Sequence, residues 1–157
     1  MYKLRRWSTR HARFLETVYG AFEAGLIRMH PLFRRIGYAR LEKPVVAVEK
    51  AIKGLLFDSQ SCGSCTLGSS GMTCPMNCPK TMRNGPCGGV RSNGCCEIKP
   101  EMRCVWVEAY DGSRRMQHGD RIRQIQAAVD HRLKGSSAWL REVRRKAGAD
   151  GQGSAAP

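Results

Sequence analysis

Cysteine is absent before residue 62 and after residue 104, so all eight thiols fall in one short stretch. Cysteines used as small core residues would scatter along the chain, and this clustering calls for a local cause. Long apolar runs are also missing. Glu16, Glu23 and Arg28 interrupt the nearest candidate, and nothing approaches the roughly 18 apolar residues of a spanning helix. The basic residues Lys3, Arg5 and Arg6 are not followed by the apolar segment of a secretory signal. We therefore expect a cytoplasmic chain with no membrane span, whose thiols stay reduced. Catalytic signatures are lacking too: no Ser/His/Asp pattern, no G-x-x-x-x-G-K-[ST] and no G-x-G-x-x-G. Acids are scarce, 13 against 27 Lys and Arg, for a net charge of +14. Such a charge favours an acidic partner: nucleic acid, an anionic membrane or a protein surface. At 157 residues the chain is too short for a (β/α)8 barrel of about 250 residues.

What is present is organised around the thiols. Residues 8–28 read as an amphipathic helix, with Phe14, Leu15, Val18, Tyr19, Phe22 and Leu26 on one face. His30-Pro31 should break it. A second helix is expected to start near Pro44, with Val45, Val48, Ile52 and Leu55/Leu56 as its stripe. Residues 58–104 are rich in Gly, Ser, Pro and Asn and should be loops and turns. Cys104 to Tyr110 reads as a short extended segment, and residues 116–134 as a third helix along Ile122, Ile125, Val129 and Leu133. Ser136 or Ser137 can cap a fourth helix carrying Trp139, Leu140 and Val143. Three segments follow: a basic helical arm (1–43), a cysteine-rich domain with flanking helices (44–147) and a disordered tail (148–157). The expected class is small, mixed and mostly α with irregular loops, its cysteine-rich core stapled by metal and flanked by amphipathic helices.

A loop as long as 58–104 cannot bury enough apolar surface to offset its chain entropy, and a bound metal centre would supply the difference. The spacing is C-x2-C-x8-C-x3-C-x8-C-x7-C-C-x7-C, through Cys62, Cys65, Cys74, Cys78, Cys87, Cys95, Cys96 and Cys104. Zinc takes four ligands, often from two C-x2-4-C knuckles. Iron–sulfur clusters are held by thiolates, often with a proline after a ligating cysteine. Cys74-Pro75 and Cys78-Pro79 both fit the second pattern. Gly85, Gly88 and Gly89 leave backbone free to approach a cluster, and Lys80 and Arg83 could offset its negative charge. The balance favours a [4Fe–4S] cluster over zinc, and eight thiols could feed a second cluster or a zinc ion as well. Met72, Met76, Met82 and Met102 should be apolar cover, and Trp106 and Tyr110 core. His11, His30, His118 and His131 lie outside the cysteine block and are expected at the surface or in packing.

The run C-G-x-C-x-L-x-x-x-G-x-x-C-P-M-x-C-P-K-x-x-R-N-G-P-C-G-G, followed by G-x-C-E-like and C-V-W-V-x-A-Y segments, resembles the methylenetetrahydrofolate reductase C-terminal domain family. The likeness covers about residues 44–145 and includes L-K-G-x-S-x-W-L from Leu133 to Leu140. It implies a non-catalytic iron–sulfur accessory subunit, sometimes carrying zinc, bound to the flavin-containing methylenetetrahydrofolate reductase catalytic subunit in one-carbon metabolism. Flavin is then expected on the partner only, with an upstream electron-donor protein as a further partner. Carried over by position, the metal-binding cysteines are Cys62, Cys65, Cys74, Cys78, Cys87, Cys96 and Cys104, and Cys95 falls at a variable position. The competing reading is a zinc-stabilised basic nucleic-acid-binding module. Against it, the cysteine block holds few basic residues and no aromatic before Trp106.

Overall fold

Pro44 lies inside a helix, not at its first turn. In the computed structural model, which describes residues 2–148, the chain forms six α-helices: α1 (Tyr2–Arg10), α2 (Ala12–Arg28), α3 (His30–Ile36), α4 (Tyr38–Phe57), α5 (Val105–Ser113) and α6 (Ala138–Lys146). Among the described residues there is no strand; Val90 bridges to Cys96 and Cys95 to Arg103. The tail expected to be disordered lies, but for Gly148, outside the described residues. Pro44 and Arg40, whose carbonyl loses its helical N–H partner to the proline, are both on the exposed side of α4, which is where such a gap costs least.

The single helix expected over 8–28 begins earlier and is interrupted at His11. The His11 ring reaches back to the Trp7 carbonyl at 2.9 Å and stacks on the Trp7 ring, centroids 4.5 Å apart. A side chain that competes for a helix carbonyl loosens the turn there. Pro31 starts α3 instead of ending α2, since its missing N–H costs nothing in a first turn. Gly37 separates α3 from α4 at φ +96, a conformation that disfavours any side chain.

Two expectations are corrected further along. Cys104 to Tyr110 is not extended: Val105–Ser113 is helical. The alternation of Val105 and Val107 suggests a strand, but Val105, Ala109 and Gly112 share a buried helical face, and tertiary burial overrides local preference. Trp106 is core, as expected, with its indole N–H donating to the Met82 carbonyl at 2.9 Å. Tyr110, expected in the core, is 57% exposed. Residues 116–134 hold two short 3-10 turns, Gly119–Arg123 and His131–Leu133, and no α-helix. Their backbone groups are claimed from outside. Glu16 accepts from the N–H groups of Gln117 and His118, and Asn84 bonds both the N–H and the carbonyl of Gln126. Arg83 donates to the Ala127 carbonyl. A segment satisfied in this way has no need of an i→i−4 ladder.

The core falls in three patches. One joins Leu15, Phe57, Leu67, Met72 and Met116 beneath the cysteine loop. The second seats Phe33 on Leu140 and Val143, and the third groups Cys104, Trp106 and Ala109. Met72 is almost fully buried, which contributes about 2 kcal/mol. Its backbone sits at φ +54, and Asp58, Ser61 and Thr81 also have positive φ. All four non-glycine cases described lie in or beside the cysteine loop, and each costs on the order of 1 kcal/mol.

Candidate metal centre

The pocket that holds thiols begins at the end of α4. Asp58 turns the chain out of the helix in a left-handed conformation, and Asn77 donates to the Phe57 carbonyl at 3.1 Å, binding the outgoing loop to the returning one. Between them Cys62, Cys65 and Cys74 line one pocket, together with Lys53, Arg83 and Gly63. Gly63 is required there, because a Cβ on it would overlap the Leu133 carbonyl at a φ of +76.

The electrostatics of this pocket are unusual. Burial pushes the Cys74 thiol up, the nearby Cys65 and Cys62 add to the rise, and the backbone N–H groups of Gln60 and Met76 work against it. N–H groups aimed at a sulfur are the usual means of steadying a metal-bound thiolate. Lys53 is 4% exposed and donates to Glu49 at 2.6 Å. Burial alone would lower its pKa, but Cys65 and Glu49 outweigh burial and raise it, so Lys53 stays cationic. Arg83 is also buried. It donates to the Ala127 carbonyl at 2.7 Å and to the carbonyl and hydroxyl of Ser64 at 3.1 and 3.0 Å. Its remaining nitrogen, Nη1, is buried without a hydrogen-bond partner. An unpaired buried guanidinium N–H costs roughly 1–3 kcal/mol unless an acceptor fills the space beside it.

A second group of thiols lies apart. Cys87 Sγ is 4.0 Å from Glu97 Oε1, and the Glu97 carboxylate pairs with Lys80. The bond to Glu97 raises the Lys80 pKa, with Cys87 and Cys96 adding to it. Gly89 packs so closely on Glu97 that a Cβ would overlap the carboxylate, whereas Gly85 and Gly88 face open space. Cys78 ends the Pro75–Asn77 turn, Cys104 is buried beside Trp106, and Cys95 pairs across to Arg103. The chain thus brings Cys62, Cys65 and Cys74 to one pocket and Cys87 and Cys96 to the surroundings of Lys80. Among the described residues, no three His, Cys, Asp or Glu side chains converge as ligands of a metal ion.

The family described as methylene-tetrahydrofolate reductase C terminal matches residues 38–132, well over half of the chain. The protein belongs to this family. Comparison with curated proteins and with solved structures returned no match. The family span opens at α4 and contains every cysteine, whereas α1 to α3 and α6 lie outside it. No described helix is long and apolar enough to cross a membrane.

The donor chemistry fits a thiolate-held group in the pocket of this family member. Cys62, Cys65 and Cys74 line it without converging as a ligand set, buried Lys53 and Arg83 border it, and Arg83 has a donor without an acceptor. Glu49 already balances Lys53, and the unmatched donor is Arg83 Nη1, which an anionic group such as an iron–sulfur cluster would satisfy. Lys53 is missing from the candidates drawn from sequence. The available signal was Glu49 four residues before it, which on a helix puts both on one face.

Proposed function

We propose that this chain is a non-catalytic accessory subunit of a flavin-containing methylenetetrahydrofolate reductase, carrying a thiolate-held metal centre. The family assignment supports the reductase. The observation that carries the metal centre is the pocket of Cys62, Cys65 and Cys74 bordered by buried Lys53 and by Arg83 with its unpaired Nη1. A [4Fe–4S] cluster bound there would supply one-electron transfer, and reduction of the folate would belong to the partner's flavin. The chain's own residues hold the thiols and set the charge around them, with Cys74 buried and Cys62 and Cys65 half-buried. Cys78, Cys87, Cys96 and Cys104 are the further ligands assigned, for the fourth position and for a second cluster or zinc. Gly85, Gly88, Gly89 and Lys80 belong with that second group, in a cytoplasmic complex fed by an upstream electron donor.

A structural role is favoured by one further observation. The left-handed residues Asp58, Ser61, Met72 and Thr81 put strain into the loop that must be offset locally. Anaerobic purification, iron and sulfide analysis and EPR test the assignment. About four irons per cluster with a reduced-state EPR signal is the expected result; zinc alone, without colour, overturns electron transfer. In the reconstituted complex, Cys74→Ser should abolish flavin reduction by the donor. If flavin reduction survives while the complex weakens, the centre is a staple only.

A further inference from the structure

Helix α4 buries charge and exposes apolar surface. Its inward side carries Glu42, Glu49, Lys53 and Phe57, and the charged members are engaged there. Glu49 accepts from Lys53 at 2.6 Å, from the Ser137 hydroxyl at 2.7 Å and from the Trp139 N–H at 3.3 Å. Glu42 accepts from the Ser137 N–H at 2.7 Å. Both carboxylates thus serve the first turn of α6, where the helix dipole favours negative charge. Tyr38, Leu41, Val45 and Leu56 pack against the core, yet a further set of apolar residues faces outward: Val48 is 54% exposed, Ile52 43% and Leu55 58%. Pro44, Ala47 and Ala51, also exposed, join them in one continuous stripe at helical spacing. A solvated helix face has the opposite pattern.

The charge around this stripe is of one sign. Arg40 and Lys43 are exposed beside the N-terminal end of the stripe, Lys50 lies toward the thiol pocket, and both acids of the helix point inward. A second copy of the chain would set these cations against their own kind, on molecules of net charge +14 each. A surface with an apolar strip rimmed by carboxylates would match both features. We infer that the outward stripe of α4, centred on Val48, Ile52 and Leu55, is the docking face for an acid-rimmed apolar surface on the flavin-containing catalytic chain. This rests on the reading of the protein as that chain's accessory subunit. The stripe lies within the family-matched span, and α1 and α3 pack on other sides of α4 without covering it.

The test is co-purification and titration of the full-length protein with the flavin-containing methylenetetrahydrofolate reductase of the same organism. Val48→Glu with Leu55→Glu should weaken the complex about 100-fold or more, leaving iron content and far-UV circular dichroism unchanged. Arg40→Glu with Lys43→Glu should slow association and flatten its salt dependence. If the acidic pair loses helical signal, Ile52→Ser, which adds no charge, should still cost about tenfold. A complex that forms with wild type and is indifferent to these changes overturns the docking face but not the accessory role. No complex with wild type overturns both. A self-dimer, or binding to 3:1 phosphatidylcholine–phosphatidylserine vesicles, abolished by Leu55→Glu overturns the inference in favour of that occupant.

Discussion

Replacing Glu49 with alanine should unseat three donors at once. Lys53 loses its partner at 2.6 Å, and Ser137 Oγ and Trp139 N lose theirs at 2.7 and 3.3 Å. Lys53 is almost fully enclosed, so its ammonium would remain buried without its carboxylate; breaking such a pair from one side costs roughly 3–5 kcal/mol. In the buried first turn of α6 the Trp139 N–H loses its acceptor, which adds up to about 1 kcal/mol, part of it already counted. A net loss of about 4 kcal/mol is a large share of a typical domain stability. With a urea slope of about 2 kcal/mol per molar, the unfolding midpoint should fall by about 2 M. The assay is urea unfolding of anaerobically purified protein, followed by tryptophan fluorescence and far-UV circular dichroism. Lys53→Met should relieve much of the loss, because the orphaned cation is gone. A shift worth less than about 1 kcal/mol, or one unchanged in the Lys53→Met background, would refute the account of a buried, charge-coupled seam.

Gly71→Ala should cost about 2 kcal/mol or more, lowering Tm by roughly 4–8 °C. Gly71 has φ +62, and an added Cβ would overlap the Ala109 carbonyl; scanning calorimetry decides it. The Glu16 carboxyl is held below its ordinary value of 4.5: burial opposes this, but the N–H groups of Gln117 and His118 and the His118 ring outweigh it. A lowered native pKa gives stability that is complete above the unfolded value and is lost as pH falls beneath it. Wild type should therefore lose more urea resistance between pH 6 and pH 3 than Glu16→Gln does; equal losses would contradict the assignment. Stripping metal under anaerobic, reducing conditions should abolish hydrogen-exchange protection over residues 58–104 while α4 and α6 stay helical, and retained protection would refute a metal-ordered loop.

The sequence made the thiol region and the α6 cap legible because both rest on local chemistry. Ser137 does cap α6, accepting from the Leu140 N–H at 3.1 Å. Loops and turns over the cysteine block follow from its Gly, Pro and Ser content, and the structure adds one short 3-10 turn and the bridges of Val90 to Cys96 and Cys95 to Arg103. What was not legible depends on distant partners. No window of residues 116–134 reveals that Glu16, Asn84 and Arg83 will satisfy that backbone. The direction of α4 was equally hidden. Its apolar period is plain, but which face turns inward depends on Ser137 and Trp139, nearly ninety positions away. Lys53 and the unpaired Nη1 of Arg83 escape notice for the same reason, since a residue type does not disclose its enclosure.

The Glu49–Ser137 bond joins positions 88 apart and so closes a ring that contains every cysteine. Closing a ring of that size costs chain entropy that grows only logarithmically with length. Once it is closed, the thiols share a small volume, and each later ligand meets the centre at a raised effective concentration. Filling of the proposed metal centre would then be largely an intramolecular event, favoured by a helix seam whose Lys53 already borders Cys65.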